Sequence, residues 1–507
     1  MLHSLLRSFY MGGCGGSLLV LLLAPVGQAK SAICATHSTV AHSTTLSQQI
    51  ETITQRPEFR QMRWGILIQT LSADPQTLYA HDAEKLFIPA SNAKLLTTAA
   101  ALTQLGPNFR IRTSVYQLAS ANQTILRVVG RGDPSFTNAQ LQDLAQQIQA
   151  RGITQIDQLI ADDQYFQGDP VNPTWEWEDI QAGYGAPVNS LILNQNAINL
   201  TLIPQALGQP LEVMWENPTE AVGWQIVNQS LTVAPTAAEF VQVGRDLTSP
   251  VLSIQGQLRM GSASEPVAVS MPQPTQHFLA QFQAALAASQ VSVARSEIAI
   301  EPIPAVAQEI AAVESPSLAD LIRETNQQSN NLYAESLLRQ LGSSANALNT
   351  SLTTGINRLE NTLSRLGVDP NQYQLRDGSG LSRQNLISPT ALVQTLQRMA
   401  RSPHAAVYRN SLSTAGSSGT LEYRFRGTPV QGKLLGKTGA LRDVVALSGY
   451  LETLNGTQLT VGILVNQTGD ASAEVRTAVD AIVQQLTRID PENLEQSMNQ
   501  TNPPESC

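Results

Sequence analysis

At 507 residues with 42% hydrophobic side chains, the chain is too long for one ordinary core and reads as two or three globular domains. A net charge of −9 argues against nucleic acid as a partner, and six scattered histidines with no His-Glu-x-x-His or paired-cysteine spacing argue against a catalytic metal or other cofactor. Once a leader is removed only Cys34 and Cys507 remain, one near each end, so no disulfide framework supports the fold.

Residues 1–29 have the organisation of a secretory signal peptide. His3 and Arg7 make a modest basic start, Ser17 to Val26 is a short apolar core, and Gly27-Gln28-Ala29 offers small residues for cleavage before Lys30. About ten largely apolar residues are too few to span a bilayer. The mature protein is therefore expected outside the cytoplasm, in the periplasm; the alternative is an uncleaved N-terminal anchor. Cys14 precedes the apolar core and Ile33 stands before Cys34, which fits neither cysteine to a lipoprotein site.

A short helix is expected from Thr45 to Pro57, then a strand from Trp64 to Leu71. Asp74-Pro75 turns the chain and Gln76 to Ala80 pairs back. After Pro89 a helix begins, with Leu95, Ala99, Leu102 and Leu105 on one face until Gly106-Pro107 stops it. Ser91 sits at its start, and Lys94, nearly one turn on, can reach the Ser91 hydroxyl from the same face. A serine needs a base to become a nucleophile. Lysine can serve if its pKa falls from about 10.4, which burial and a neighbouring positive charge favour. The motif alone is weak evidence of chemistry: with five lysines in the chain and serine at roughly 7% of ordinary composition, about 0.4 Ser-x-x-Lys matches arise by chance.

Residues 113–312 change character and read as an inserted region of one or two small domains. Strand-like runs at Ile125 to Val129, Val251 to Leu258 and Ile298 to Ile303 alternate with helices such as Leu141 to Arg151 and His277 to Ala287. Gly130-Arg131-Gly132-Asp133-Pro134 lacks the third glycine of a dinucleotide loop and reads as a tight turn. Trp175-Glu176-Trp177-Glu178-Asp179 and Tyr184-Gly185-Ala186-Pro187 can contact a substrate, but such aromatics more often anchor a long loop.

Ser317 can cap a helix through Leu318, Leu321 and Ile322, and a second helix carries Leu332, Leu337, Leu338 and Leu341 before Gly342. Ser329-Asn330-Asn331 lies at their junction. There a hydroxyl and an amide either line a cleft or simply satisfy the local backbone. Asp377-Gly378-Ser379-Gly380-Leu381-Ser382 reads as a turn bordering the cleft, since Gly-x-Ser-x-Gly is absent. Gly436-Lys437-Thr438-Gly439-Ala440 opens a strand that runs through Val444 to Tyr450, Asn455-Gly456 makes a hairpin turn, and Gln458 to Val465 returns. Lys437 is thus expected near the middle of a sheet, where its cation and the Thr438 hydroxyl can hold a carboxylate, with Gly439 permitting close approach of a ligand backbone. An amphipathic helix from Ala473 to Leu486 closes the fold, and 489–507 reads as a mobile tail.

Taken together, Ser91-x-x-Lys94, Ser329-x-Asn331 and Lys437-Thr438-Gly439 resemble the motif set of penicillin-binding proteins and serine β-lactamases. Two of the five lysines fall inside it. The long gap between the first two motifs resembles the class C low-molecular-mass penicillin-binding proteins, of the penicillin-binding protein 4 type. So do Gly132-Asp133-Pro134, Tyr184 to Pro187, Ser329 to Glu335, Asp377 to Ser382, and Gly419-Thr420-Leu421 with Arg424-Phe425. The resemblance spans about 45 to 488. It implies an α/β (α+β) fold: a β-lactamase/transpeptidase-like domain, its antiparallel sheet flanked by helices, formed by 45–112 and 313–488 and interrupted by mostly-β inserted domains.

The same resemblance implies a D-alanyl-D-alanine carboxypeptidase, often also an endopeptidase on peptidoglycan cross-links, inhibited covalently by β-lactams. Ser91 would attack the carbonyl between two D-alanines at the end of a stem peptide, and Lys94 would take its proton. Ser329, held by Lys437, would relay a proton to the leaving nitrogen. Asn331 would bind the substrate's peptide amide and Thr438 its terminal carboxylate, with the N–H groups of Ser91 and Ala440 as oxyanion hole. Ala440 departs from the threonine or serine usual there, which removes a hydroxyl for the carboxylate and leaves open the balance between carboxypeptidase and endopeptidase work. The rival readings are a serine β-lactamase and a non-catalytic penicillin-binding scaffold.

Overall fold

The computed structural model describes residues 45–489 apart from 219–222, 248, 301–306 and 344–349. The leader expected at 1–29 lies outside the described residues, as does the tail beyond Ile489.

Strands buried along their whole length must be covered on both faces. Val444–Glu452 and Gln458–Asn466 are buried almost end to end, and with Arg63–Thr70 they form the centre of a six-stranded antiparallel sheet. Its order is Ser413–Thr414, Leu434–Leu441, Val444–Glu452, Gln458–Asn466, Arg63–Thr70, Thr77–His81. Side chains alternate between the faces as the pleat requires. Ala446, Tyr450 and Leu464 enter a core with helices Ala93–Leu105, Leu318–Gln327, Asn331–Gly342 and Pro389–Ala400, whereas Val445, Leu447 and Leu451 enter one with helices Leu46–Thr54 and Ser472–Leu486.

The expected helix after Pro89 begins as a 3-10 turn, Ala90–Asn92, and becomes α-helical over Ala93–Leu105. It is buried on every side from Ala93 to Leu102, not along one stripe, because sheet and helical layer enclose it. The buried Lys94 therefore has no route to water along the helix surface.

Lys437 differs from expectation. Its strand is second from the edge, and the outer neighbour, Ser413–Thr414, pairs only with Gly436 and Leu435. Past Gly436 no strand covers that side among the described residues, which leaves the backbone from Lys437 to Leu441 as an open edge.

The segment between helices Ala93–Leu105 and Leu318–Gln327 begins along Arg112–Leu118 and ends along Gln308–Glu314, and these two strands pair antiparallel, Arg112 opposite Glu314. The two ends of the segment thus lie side by side. They belong to a five-stranded mixed sheet with Ile125–Val129, Gln158–Asp162 and Ser296–Ile298, packed on helices Asn138–Ala150 and Pro274–Ala288. The strand expected at Ile298 to Ile303 is therefore displaced upstream: it ends at Ile298, and 301–306 lie outside the described residues. A second core joins the sheet of Ala197–Ile203, Glu212–Trp215 and Glu265–Ser270 to a four-stranded sheet around Val251–Arg259.

Candidate active site

Three elements converge on Ser91. The first is its own turn, which the neighbouring Asn92 fastens to the sheet by donating 2.8 Å to the Ser448 hydroxyl, opposite Lys437 in the strand register. Gly439 makes the approach close, since a Cβ there would lie 2.8 Å from the Pro89 carbonyl oxygen. Ala90, just before the serine, has φ 47°, a left-handed conformation that costs a non-glycine residue of order 1 kcal/mol.

The second element is the junction between helices Leu318–Gln327 and Asn331–Gly342. Ser317 caps the first and Asn330 the second, leaving Ser329 between them at φ 58°. The third is the strand of Lys437. The Lys94 amine donates to the Ser91 hydroxyl at 3.0 Å, to Asn331 Oδ1 at 2.6 Å and to the Ser379 carbonyl at 2.7 Å. The Lys437 amine donates to the Ser329 hydroxyl at 2.8 Å and to the Thr438 carbonyl at 2.8 Å. Both lysines are fully buried, whereas Ser91, Ser329, Asn331 and Thr438 are half-buried and Ala440 is exposed. The two hydroxyls thus keep contact with solvent while the amines that donate to them are buried.

Burial pushes Lys94 down to about 7, and the charges of Asp377 and Glu335 only partly oppose it. Lys437 is held well below its ordinary value by burial and by the charge of Lys94. A lysine in that range is neutral often enough at neutral pH to accept a proton from an adjacent hydroxyl.

Residues outside the serine–lysine pairs complete the walls. Asn331 Nδ2 donates 3.0 Å to the Tyr184 carbonyl, so the long insertion loop borders the cleft directly. Trp175 is buried and donates 2.9 Å to Asp377 Oδ2, the anchoring role expected of that aromatic cluster. Asp377 in turn accepts from the N–H groups of Gly380 and Ser382, which folds the glycine-rich loop around one carboxylate. Thr438 donates 2.8 Å to the Thr420 hydroxyl, placing a second hydroxyl next to the one proposed for the carboxylate. Sequence reasoning gave no role to Glu335, whose signal was an acidic side chain among Tyr333, Ala334, Leu337 and Leu338.

Gly380 couples that loop to the nucleophile's turn. It has φ 83°, and a Cβ there would fall 1.8 Å from the Ala90 carbonyl oxygen. Gly380→Ala is expected to displace the Ala90–Ser91 turn and lower the rate of acylation at Ser91 by about 100-fold, the loss typical of an ångström-scale misplacement. An unchanged rate, measured with a fluorescent penicillin, would show that the turn does not depend on this contact.

An antiparallel sheet layered with helices, carrying one serine–lysine pair at a buried helix start and a second across the cleft, defines the protein as a serine peptidase, a hydrolase with a transpeptidase-like fold. The model of the D-Ala-D-Ala carboxypeptidase 3 (S13) family matches residues 46–488, and the chain belongs to that family. It is 29% identical over 500 residues to a D-alanyl-D-alanine carboxypeptidase of Actinomadura sp. (strain R39), covering 94% of this chain and 92% of the relative. It is 27% identical to penicillin-sensitive carboxypeptidase A of Dictyostelium discoideum, over 84% of this chain and 87% of the relative. Among solved structures it is similar to penicillin binding protein 4 (dacB) from Haemophilus influenzae, with TM-score 0.74, 20% identity, and coverage of 87% of this chain and 99% of that one.

Proposed function

We propose that the protein is a serine-type D-Ala-D-Ala carboxypeptidase, and also a DD-endopeptidase, that trims peptidoglycan stem peptides through an acyl-enzyme on Ser91. The observation that carries this reading is the Lys94 amine, 3.0 Å from the Ser91 hydroxyl and buried enough to act as a base. In the proposed mechanism Lys94 takes the Ser91 proton as the hydroxyl attacks the carbonyl between the two D-alanines. The oxyanion lies on the backbone N–H groups of Ser91 and Ala440. Ser329, held by Lys437, passes a proton to the leaving nitrogen, and release of the terminal D-alanine leaves the acyl-enzyme for water.

An extended stem peptide can add to the open sheet edge at Lys437 to Leu441, with Asn331 on its amide and Thr438 on its carboxylate. Because Ala440 lacks a hydroxyl, carboxylate recognition rests on fewer groups, which favours substrates whose scissile bond is not followed by a free terminus. That is the endopeptidase arm. β-Lactams, as mimics of the same peptide, would acylate Ser91.

We divide the chain into a catalytic domain of 45–112 and 313–488 and inserted domains of 113–312, preceded by a signal peptide at 1–29 that sends the protein to the periplasm. Among the described residues no helix is long and apolar enough to cross a membrane.

The test is intact-mass analysis after penicillin treatment with peptide mapping, alongside D-alanine release from a pentapeptide. A slowly hydrolysed adduct on Ser91 together with D-alanine release is the expected result. Turnover of penicillin many times a second would instead make the protein a β-lactamase. An adduct without D-alanine release or cross-link cleavage would make it a scaffold.

A further inference from the structure

One turn along the helix from Asn331, and so on the same face, Glu335 is fully buried and takes no part in the proposed reaction. Its Oε1 accepts from the backbone N–H groups of Gly378 and Ser379, both at 2.8 Å. The carbonyl of that same Ser379 accepts 2.7 Å from the Lys94 amine. A single residue therefore separates the carboxylate from the base. The other oxygen, Oε2, faces Arg339 at a longer 3.4 Å, and Arg339 also donates to the carbonyls of Asp169 and Pro170. The short bonds of Glu335 go to the loop that holds Lys94, not to its ion-pair partner.

We propose that Glu335 is a positioning residue for Lys94: by holding the N–H groups of Gly378 and Ser379 it fixes the Ser379 carbonyl on the amine, and it places a buried carboxylate one residue behind the base. The inference rests on the reading of Lys94 as the base. The charged groups around Glu335 are Arg339 on its own helix, Asp377 from the glycine-rich loop and Lys94 from the central helix, with Asp169 acting on Arg339. Burial and the charge of Asp377 raise Glu335 to about 7, with Arg339 opposing them. Glu335 and Asp377 both push Lys94 upward against burial.

The test is the pH dependence of the second-order rate of acylation by a fluorescent penicillin, with adduct mass checked on Ser91. Glu335→Gln keeps an oxygen for both N–H groups and removes the charge. With Glu335 itself raised to about 7, its charge is present over the upper part of the acid limb; there Lys94 loses its proton at lower pH in the variant, and the midpoint of the limb moves down by about 0.5 unit. Glu335→Asp keeps the charge but falls short of the loop, so the limb stays in place while the plateau rate drops about 3–10-fold.

A purely structural carboxylate would change the thermal midpoint and the fraction of protein that labels, leaving the plateau rate of the labelled fraction and the limb of Glu335→Gln where they are in the unaltered protein, and that result overturns the proposal. Misfolded protein scales the amplitude, not the position of the limb. Should Glu335→Gln give no protein that acylates, Glu335→Asp decides: a lowered plateau on an unmoved limb supports the proposal, and an unchanged plateau overturns it. Absence of any Ser91 adduct on the unaltered protein defeats the reading of the site itself, whereas an adduct with an unmoved Glu335→Gln limb defeats only this inference.

Discussion

Ser91→Ala is expected to abolish the penicillin adduct and to reduce D-alanine release by on the order of 10^6-fold, the scale seen when the nucleophile of a serine hydrolase is removed. The fold should survive. Ser91 is half-buried at the start of the central helix and gives up one hydrogen bond, from Lys94, whose amine keeps Asn331 Oδ1 and the Ser379 carbonyl as acceptors. The cost to stability is therefore about 1 kcal/mol, a shift of a few degrees at most in thermal unfolding. Substrate should still bind, because Asn331, Thr438 and the open sheet edge are untouched. Persistent labelling of the variant, or turnover near that of the unaltered protein, would place the nucleophile elsewhere.

Lys94→Ala is expected to lower acylation by about 10^3–10^4-fold in a protein that still folds, since the nucleophile remains but its base is gone. The pH dependence gives a second reading. Lysine accepts a proton only as the neutral amine, and burial brings Lys94 to about 7. Acylation by the unaltered protein should therefore climb as pH rises toward 7 and level off above it, and Lys94→Ala should lose that limb. The variant leaves Asn331 Oδ1 and the Ser379 carbonyl without their donor, at a stability cost of about 1–3 kcal/mol, but it also removes a buried cation, which offsets part of that. A variant rate within about tenfold of the original, or an intact acid limb, would exclude Lys94 as the base.

Several helices and the central strands of the main sheet were readable because their signals are local, whereas helices Ser351–Leu366 and Pro389–Ala400 were not among the expected elements. Ser317 does cap its helix, Asn455-Gly456 does turn a hairpin, and the apolar runs at Val444 and Gln458 are strands buried on both faces. Errors arose where pairing partners are distant. The edge position of Lys437 depends on Ser413–Thr414, two residues without strand character that reach their place only because the chain from Gly419 to Lys433 loops back. Likewise the strand at Ser296–Ile298 pairs parallel to Gln158–Asp162, far back in the chain, and nothing in its own alternation marks that boundary.

For the site, residue types and spacing alone determined a serine and a lysine one helical turn apart, an asparagine at a helix junction and a lysine on a strand; the pairing of Ser329 with Lys437 and the missing hydroxyl at Ala440 came from the resemblance to a family's motif set. Spacing of three residues sufficed for Ser91 and Lys94, since a helical turn brings such positions together in any context. Only the folded chain decided that Ser329 and Lys437 meet at 2.8 Å across 108 positions, that both amines are buried, and that Glu335 stands one residue behind Lys94. Burial and long-range contact are properties of the assembled layers. Desolvation, which lowers the hold of a lysine on its proton, has no trace in sequence until those layers close over it.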